Sequence, residues 1–166
     1  MRKHLPVTLL GALLLQCLSY AIASQAGWEV YRAEKYGFEM LAPTGTKFEE
    51  REWKEGFGGL YAKKGTIELY GLAQLGGDAT AEEIEDYGVE VSGIPEEHWK
   101  KIDEGKDDRG WKYYRTYQAR QGNTVLYAGL GAGPKGKYLL ILKTTVEDVE
   151  NHEGEYKKWY ESIKLY

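Results

Sequence analysis

Five consecutive residues, Tyr138-Leu139-Leu140-Ile141-Leu142, are apolar without interruption. Side chains of a strand alternate between two faces, so a strand with this composition has no face to give to water. It belongs at the centre of a sheet covered on both sides. The neighbouring sequence supplies the rest of such a sheet. Trp111 to Arg120 and Thr124 to Ala132 read as strands joined by the turn Gln121-Gly122-Asn123, and Gly133-Pro134-Lys135-Gly136 leads into the apolar run. Upstream, Trp28 to Arg32 and Phe38 to Ala42 read as a hairpin around Lys35-Tyr36-Gly37, which Pro43 ends. Phe57 to Ala62 and Thr66 to Leu75 form a second pair around Lys63-Lys64-Gly65. In the latter strand Ile67, Leu69 and Gly71 share one face, and Glu68, Tyr70 and Leu72 the other. Phe48 to Trp53 is charged and suits an edge or a loop; Trp99 to Asp103 reads as a further strand, followed by a polar loop, 104–110.

Two segments have helical periodicity. Thr80-Ala81-Glu82-Glu83 is a capping box, and Ile84, Tyr87, Gly88 and Val91 follow at i, i+3, i+4 and i+7. Gly93 and Pro95 stop this helix. Near the C-terminus, Thr145 caps with Asp148 three residues on, and Val149, Tyr156, Trp159, Tyr160 and Ile163 make an apolar stripe. Gly154 weakens that helix by about 1 kcal/mol relative to Ala, so a start near Asn151 is the alternative. The sum is α+β: an antiparallel sheet flanked by helices, a three-layer α/β/α sandwich.

The first 23 residues stand apart. Met1-Arg2-Lys3-His4 is positive, Val7 to Leu15 is mainly apolar, and Ala21-Ile22-Ala23 is an A-x-A cleavage site. This reads as a secretory signal, with a single domain over 24–166 and a periplasmic or extracellular location. Leu14-Leu15-Gln16-Cys17 resembles a lipobox only loosely, since Gln16 stands where a small residue is required; no lipid anchor at Cys17 is expected. Loss of Arg2 and Lys3 takes the formal charge from −4 to −6 and loss of Cys17 leaves no thiol. A thiol enzyme or Cys-type zinc site is thereby excluded from the processed chain, and an acidic domain is unsuited to nucleic acid. No second apolar run is long enough for a membrane span.

The motif Tyr36-Gly37-Phe38-Glu39-Met40-Leu41-Ala42-Pro43 resembles the Y-G-F-x-φ-x-x-P opening of the PsbP-like, Ran-binding Mog-type and DcrB-like superfamily, φ being apolar. The ending, Tyr138 to Leu142 followed by Glu155 to Leu165 with its Ser162-Ile163, is also similar. These are packing motifs. The resemblance implies a scaffold or binding module, because members of that group are assembly factors, subunits and chaperones, and it transfers no binding residue.

Catalytic patterns are poor. Gly131 to Lys137 matches G-x-x-x-x-G-K, but Tyr138 replaces the Ser/Thr that holds magnesium and a strand follows where a helix is needed, so a glycine-rich hairpin loop is expected. Asp103, Glu104, Asp107 and Asp108 cluster without calcium-loop spacing and with Lys106 among them. His98 and His152 lie in no zinc motif, and Ser24, Ser92 and Ser162 in no G-x-S-x-G elbow. No cofactor or metal is expected. The 22 aromatics among 166 residues are the remaining signal. Tyr113 and Tyr117 alternate with Tyr114 on one strand, and Trp53 sits in the least core-like surroundings. Trp53, Phe57, Tyr61 and Tyr114 are the candidate contacts for an envelope protein partner, since Trp and Tyr dominate interface hot spots. The alternatives are carbohydrate or small-ligand binding on exposed aromatics, and a carboxylate-based hydrolase.

Overall fold

The computed structural model describes residues 27–166. The leader, its cleavage site and Cys17 lie outside the described residues. Ten strands and two helices follow one another in the order expected for α+β. Strands β1 (Trp28–Ala33) and β2 (Phe38–Pro43) form the first hairpin. Then come β3 (Glu49–Glu52), β4 (Gly58–Lys64), β5 (Ile67–Leu75), helix α1 (Ala81–Ser92) and β6 (Trp99–Gly105). Strands β7 (Tyr113–Gln121), β8 (Thr124–Ala132) and β9 (Gly136–Thr145) lead to helix α2 (Val146–Ser162) and the short β10 (Lys164–Leu165).

The main sheet has seven antiparallel strands in the order β3-β4-β5-β9-β8-β7-β6. The all-apolar run thus occupies the middle strand, and Tyr138 to Leu142 are each 0% exposed. Alternation divides them. Leu139 and Ile141 pack with Tyr70, Leu72, Leu126 and Leu130 beneath Ile84 and Tyr87 of α1. Tyr138, Leu140 and Leu142 face the other way, against Tyr156 and Trp159 of α2 and Phe38 and Met40 of β2. The helices therefore cover opposite faces, and the sheet is the middle layer.

Helix α1 begins as its sequence requires. The Glu83 amide donates to Thr80 Oγ1 at 3.2 Å, and the Thr80 amide donates to Glu83 Oε2 at 2.7 Å. Gly93 ends it at φ 69°, a left-handed conformation that Gly adopts without a Cβ penalty. Helix α2 starts at Val146 under the Thr145 cap, and its irregularity falls on His152 (φ −137°), two residues before the weak Gly154.

Two expectations need correction. The first hairpin is not part of the main sheet. With β10 it forms a separate three-stranded sheet, β1-β2-β10, that shares the α2 layer. Its inward side chains, Phe38 and Met40, are fully buried on the main sheet, which rules out edge pairing as their means of burial. Second, β6 continues through the acidic segment to Gly105, with an irregularity between Lys101 and Asp103. Pairing with β7 extends it, and Ile102, left 52% exposed, marks the break.

Candidate functional site

One end of the main sheet gathers most of the surface relief. Cross-strand register places Gly58, Ala73, Tyr138, Gly131, Tyr114 and Gly105 in one row from β4 to β6. Beyond that row lie the loops 53–57, 76–80, 106–112 and 133–135, together with the start of α1. A hollow of about 400 Å³ opens here between the β3–β4 turn and α1.

The turn is built by short-range geometry. Phe57 N–H donates to Lys54 O at 3.0 Å, and Trp53 N–H donates to Phe57 O at 2.8 Å. Glu55 and Gly56 both have positive φ, 56° and 74°, as a type I′ turn demands. Glycine takes this freely; for Glu55 it costs about 1–2 kcal/mol. Gln74 holds the strained turn in place. Its Nε2 donates to Glu55 O at 2.8 Å, and its Oε1 accepts from Ala79 N–H at 3.2 Å. One side chain thus ties the turn to the loop that enters α1.

The hollow has an aromatic floor and an acidic rim. Phe57 and Tyr87 stack with centroids 4.9 Å apart and planes 24° from parallel, and both are buried. Burial raises the Tyr87 pKa above its ordinary value. Glu55, Asp78, Glu83, Asp86 and Glu90 line the hollow. Glu83 is committed to the helix cap, and the hydrogen bond from the Thr80 amide lowers its pKa. Glu90 pairs with Lys54. Glu55, Asp78 and Asp86 form no ion pair among the described residues, so the rim keeps a surplus of negative charge suited to an ammonium or guanidinium group.

The four predicted contact residues divide. Trp53 and Phe57 flank the turn, and Tyr114 lies at the same end four strands away. At the usual spacing between strands that is about 19 Å. Trp53 is half-buried, its ring 5.9 Å from Tyr70, and its indole N–H is buried without a hydrogen-bond partner among the described residues. Phe57 is 3% exposed, so it supports the hollow from below. Tyr114 faces the α2 layer, half-buried, and donates to Asp103 Oδ2 at 2.8 Å. Tyr61 is not brought to this end. It lies within β4, opposite Tyr70, with the Arg51 guanidinium 4.2 Å above its ring. Tyr117, by contrast with Tyr114, faces α1, where it is buried and donates to Glu85 at 2.5 Å.

Sequence reasoning missed Glu55, Gln74 and Tyr87 as members of one site. Lys54-Glu55-Gly56 between two apolar-bounded strands carries the turn signal; the bridging role of Gln74 has no local signature. No platform of exposed tryptophans exists among the described residues: Trp28, Trp111 and Trp159 are buried, and Trp53 and Trp99 are half-buried. In the acidic segment Glu104 pairs with Lys101 (2.8 Å) and Arg115 (3.5 Å) and Asp107 with Arg109, while Asp103 accepts from the Tyr114 hydroxyl. Among the described residues no three His, Cys, Asp or Glu side chains group as a metal site. No helix among them is long and apolar enough to cross a membrane.

Comparison with known proteins gives no match to any family model and none among curated proteins. Solved structures do match. The solution structure of cyanobacterial PsbP from Synechocystis sp. PCC 6803 is 17% identical, covers 92% of this chain and 99% of its own, and superposes with a TM-score of 0.57. A Pseudomonas aeruginosa protein of unknown function is 14% identical over 79% of this chain and 92% of its own, at a TM-score of 0.34. The fold of this chain is therefore PsbP-like, as the motifs at its two ends imply.

Proposed function

We propose that this chain is an exported, non-enzymatic accessory module of the cell envelope, processed after Ala23, whose domain over 24–166 binds a protein partner through the loop-bearing end of its sheet. The acidic hollow receives a cationic segment of that partner. The observation that carries this reading is the pairing of an aromatic floor, Phe57 on Tyr87, with three carboxylates that form no ion pair among the described residues. Lys or Arg side chains match both parts, the stem on the rings and the head on the rim. The half-buried Trp53 beside the turn supplies an anchor of the kind that dominates interfaces. The PsbP-like fold agrees with such a role through the superfamily resemblance.

The test replaces Glu55 by Gln and Asp78 and Asp86 by Asn, sparing the helix cap and the Lys54–Glu90 pair. Cross-linking to envelope extract is expected to lose a partner captured by the unmodified chain by at least about tenfold, with the melting temperature unchanged. Retention of that partner at the original yield overturns the reading. The convergence of carboxylates on one hollow also favours a hydrolase as the second reading. It requires the same three-residue variant to abolish turnover of a substrate that the unmodified chain cleaves.

A further inference from the structure

The turn that borders the acidic hollow also borders a second one, of about 370 Å³, on the other face of the sheet. Gly56, Phe57 and the half-buried Trp53 line it. Its floor is apolar: Tyr36, Phe57 and Ala73 are 5%, 3% and 1% exposed. Tyr36 and Ala73 belong to the core on the small-sheet side, whereas Phe57 and Tyr87 under the acidic hollow belong to the core on the α1 side. The hollows thus lie back to back, with the turn 54–57 as the partition and Phe57 common to both linings. Leu75 is the unusual member. On this face of β5, Leu69 and Ala73 are each 1% exposed; Leu75, next in the row, is 45% exposed and lines the hollow. The polar rim is largely satisfied from within, since Glu50 accepts from the Tyr36 hydroxyl at 2.7 Å and pairs with Lys35. Glu52, also in the lining, forms no ion pair among the described residues. The second hollow therefore offers an apolar surface with one surplus negative charge at its edge.

Resting on the assignment of the acidic hollow to a cationic partner, we infer that one extended segment of that partner reads both hollows. It places a basic side chain in the acidic hollow and an apolar side chain, three or four residues away, against Leu75. The spacing follows from the sheet. Side chains on its two faces together span about 10 Å, which an extended chain covers in about three residues at 3.3 Å each, and passage over the turn adds one. A helix advances only about 1.5 Å per residue, so the same two positions on a helix stand too close together to straddle the turn. Gly56, within the turn, has no side chain to obstruct the crossing. The surplus charge on both sides of the partition is negative, so an acidic segment is repelled from either hollow and a basic flank is favoured beside Glu52. The apolar contact supplies what charge alone lacks, a preference for one basic segment over another.

The test selects peptides from a phage-displayed library of random sequences on the unmodified chain and measures binding of the enriched consensus peptide by fluorescence anisotropy. The consensus is expected to hold Lys or Arg three or four positions from Leu, Ile, Val or Phe. L75S is expected to weaken its binding at least about fivefold, as loss of an apolar contact does. Selection repeated on L75S is expected to drop the apolar preference and keep the basic one, and selection on E55Q/D78N/D86N to do the reverse. Basic residues enriched with no apolar position at that spacing, or equal binding of the consensus by L75S, overturns the two-hollow segment and leaves the role of the acidic hollow standing. An apolar preference without a basic one overturns both. A library that yields no peptide overturns the two-hollow segment, while cross-linking to envelope extract still judges the acidic hollow by itself. Because Leu75 is largely exposed, L75S is expected to keep the melting temperature of the unmodified chain, and L75A gives the milder truncation at the same position.

Discussion

Gly71 lies where the small sheet presses on the large one. A Cβ there would stand 2.3 Å from Cζ of Phe38, a ring with no exposed surface. Gly71→Ala is expected to cost about 1–3 kcal/mol, as overpacking of a filled core does, and denaturant unfolding measures it. Asp148 works by polarity. Its carboxylate accepts from Thr66 Oγ1 at 2.9 Å, Thr144 Oγ1 at 2.8 Å and the Tyr156 hydroxyl. Burial alone would raise its pKa, but these hydrogen bonds and His152 together outweigh it, and the net shift is below the ordinary value of 3.8. A carboxylate with a depressed folded pKa stabilises above its unfolded value and ceases to do so as pH falls through the folded one. Asp148→Asn is therefore expected to lose about 1–3 kcal/mol at neutral pH, with the deficit against the unmodified chain narrowing below about pH 4. A deficit independent of pH in urea unfolding would contradict this.

Elements with local signals are legible in the sequence alone. Helix α1 has a capping box, a stripe and a glycine stop, all within 14 residues, and it forms between those marks. Thr80→Ala is expected to cost about 1 kcal/mol, measured as a fall in the urea midpoint. The middle strand β9 is legible for a similar reason: five apolar residues exclude any wet face. Strand β10 is not. Its two residues have no periodicity, and the strand exists because Lys164 and Leu165 pair with Glu39 and Phe38 more than 120 residues away. The tail is then held by Leu165 N–H to Arg109 O at 2.7 Å and Tyr166 N–H to Gly37 O at 2.9 Å. Removal of Leu165 and Tyr166 is expected to cost about 3 kcal/mol, from one buried leucine and two backbone hydrogen bonds. A truncated chain with an unchanged melting temperature would show that the tail is ornamental.

At the scale of the molecule, an aromatic-rich composition resolves into two cores, one on each face of a seven-stranded sheet. Most of the aromatic excess fills them. Phe57 illustrates the difficulty for sequence reading: in a run of charges it resembles a surface anchor, yet the type I′ turn folds it inward onto Tyr87. The site itself depends on register, which assembles the turn after β3, the entry to α1 and the turn before β9 at one end of the sheet. No local pattern encodes that assembly. Beside α1 the site carries Glu55, Asp78 and Asp86, which form no ion pair among the described residues. The opposite end, with the turns around Gly65 and Gly122, carries none of these hollows. Placing one photo-crosslinking residue at Lys54 and another at Gly122 tests the central claim most directly. The account predicts an adduct with an envelope protein from position 54, absent from position 122 and lost in E55Q/D78N/D86N. Equal adducts from both ends, or an adduct indifferent to that variant, would contradict it.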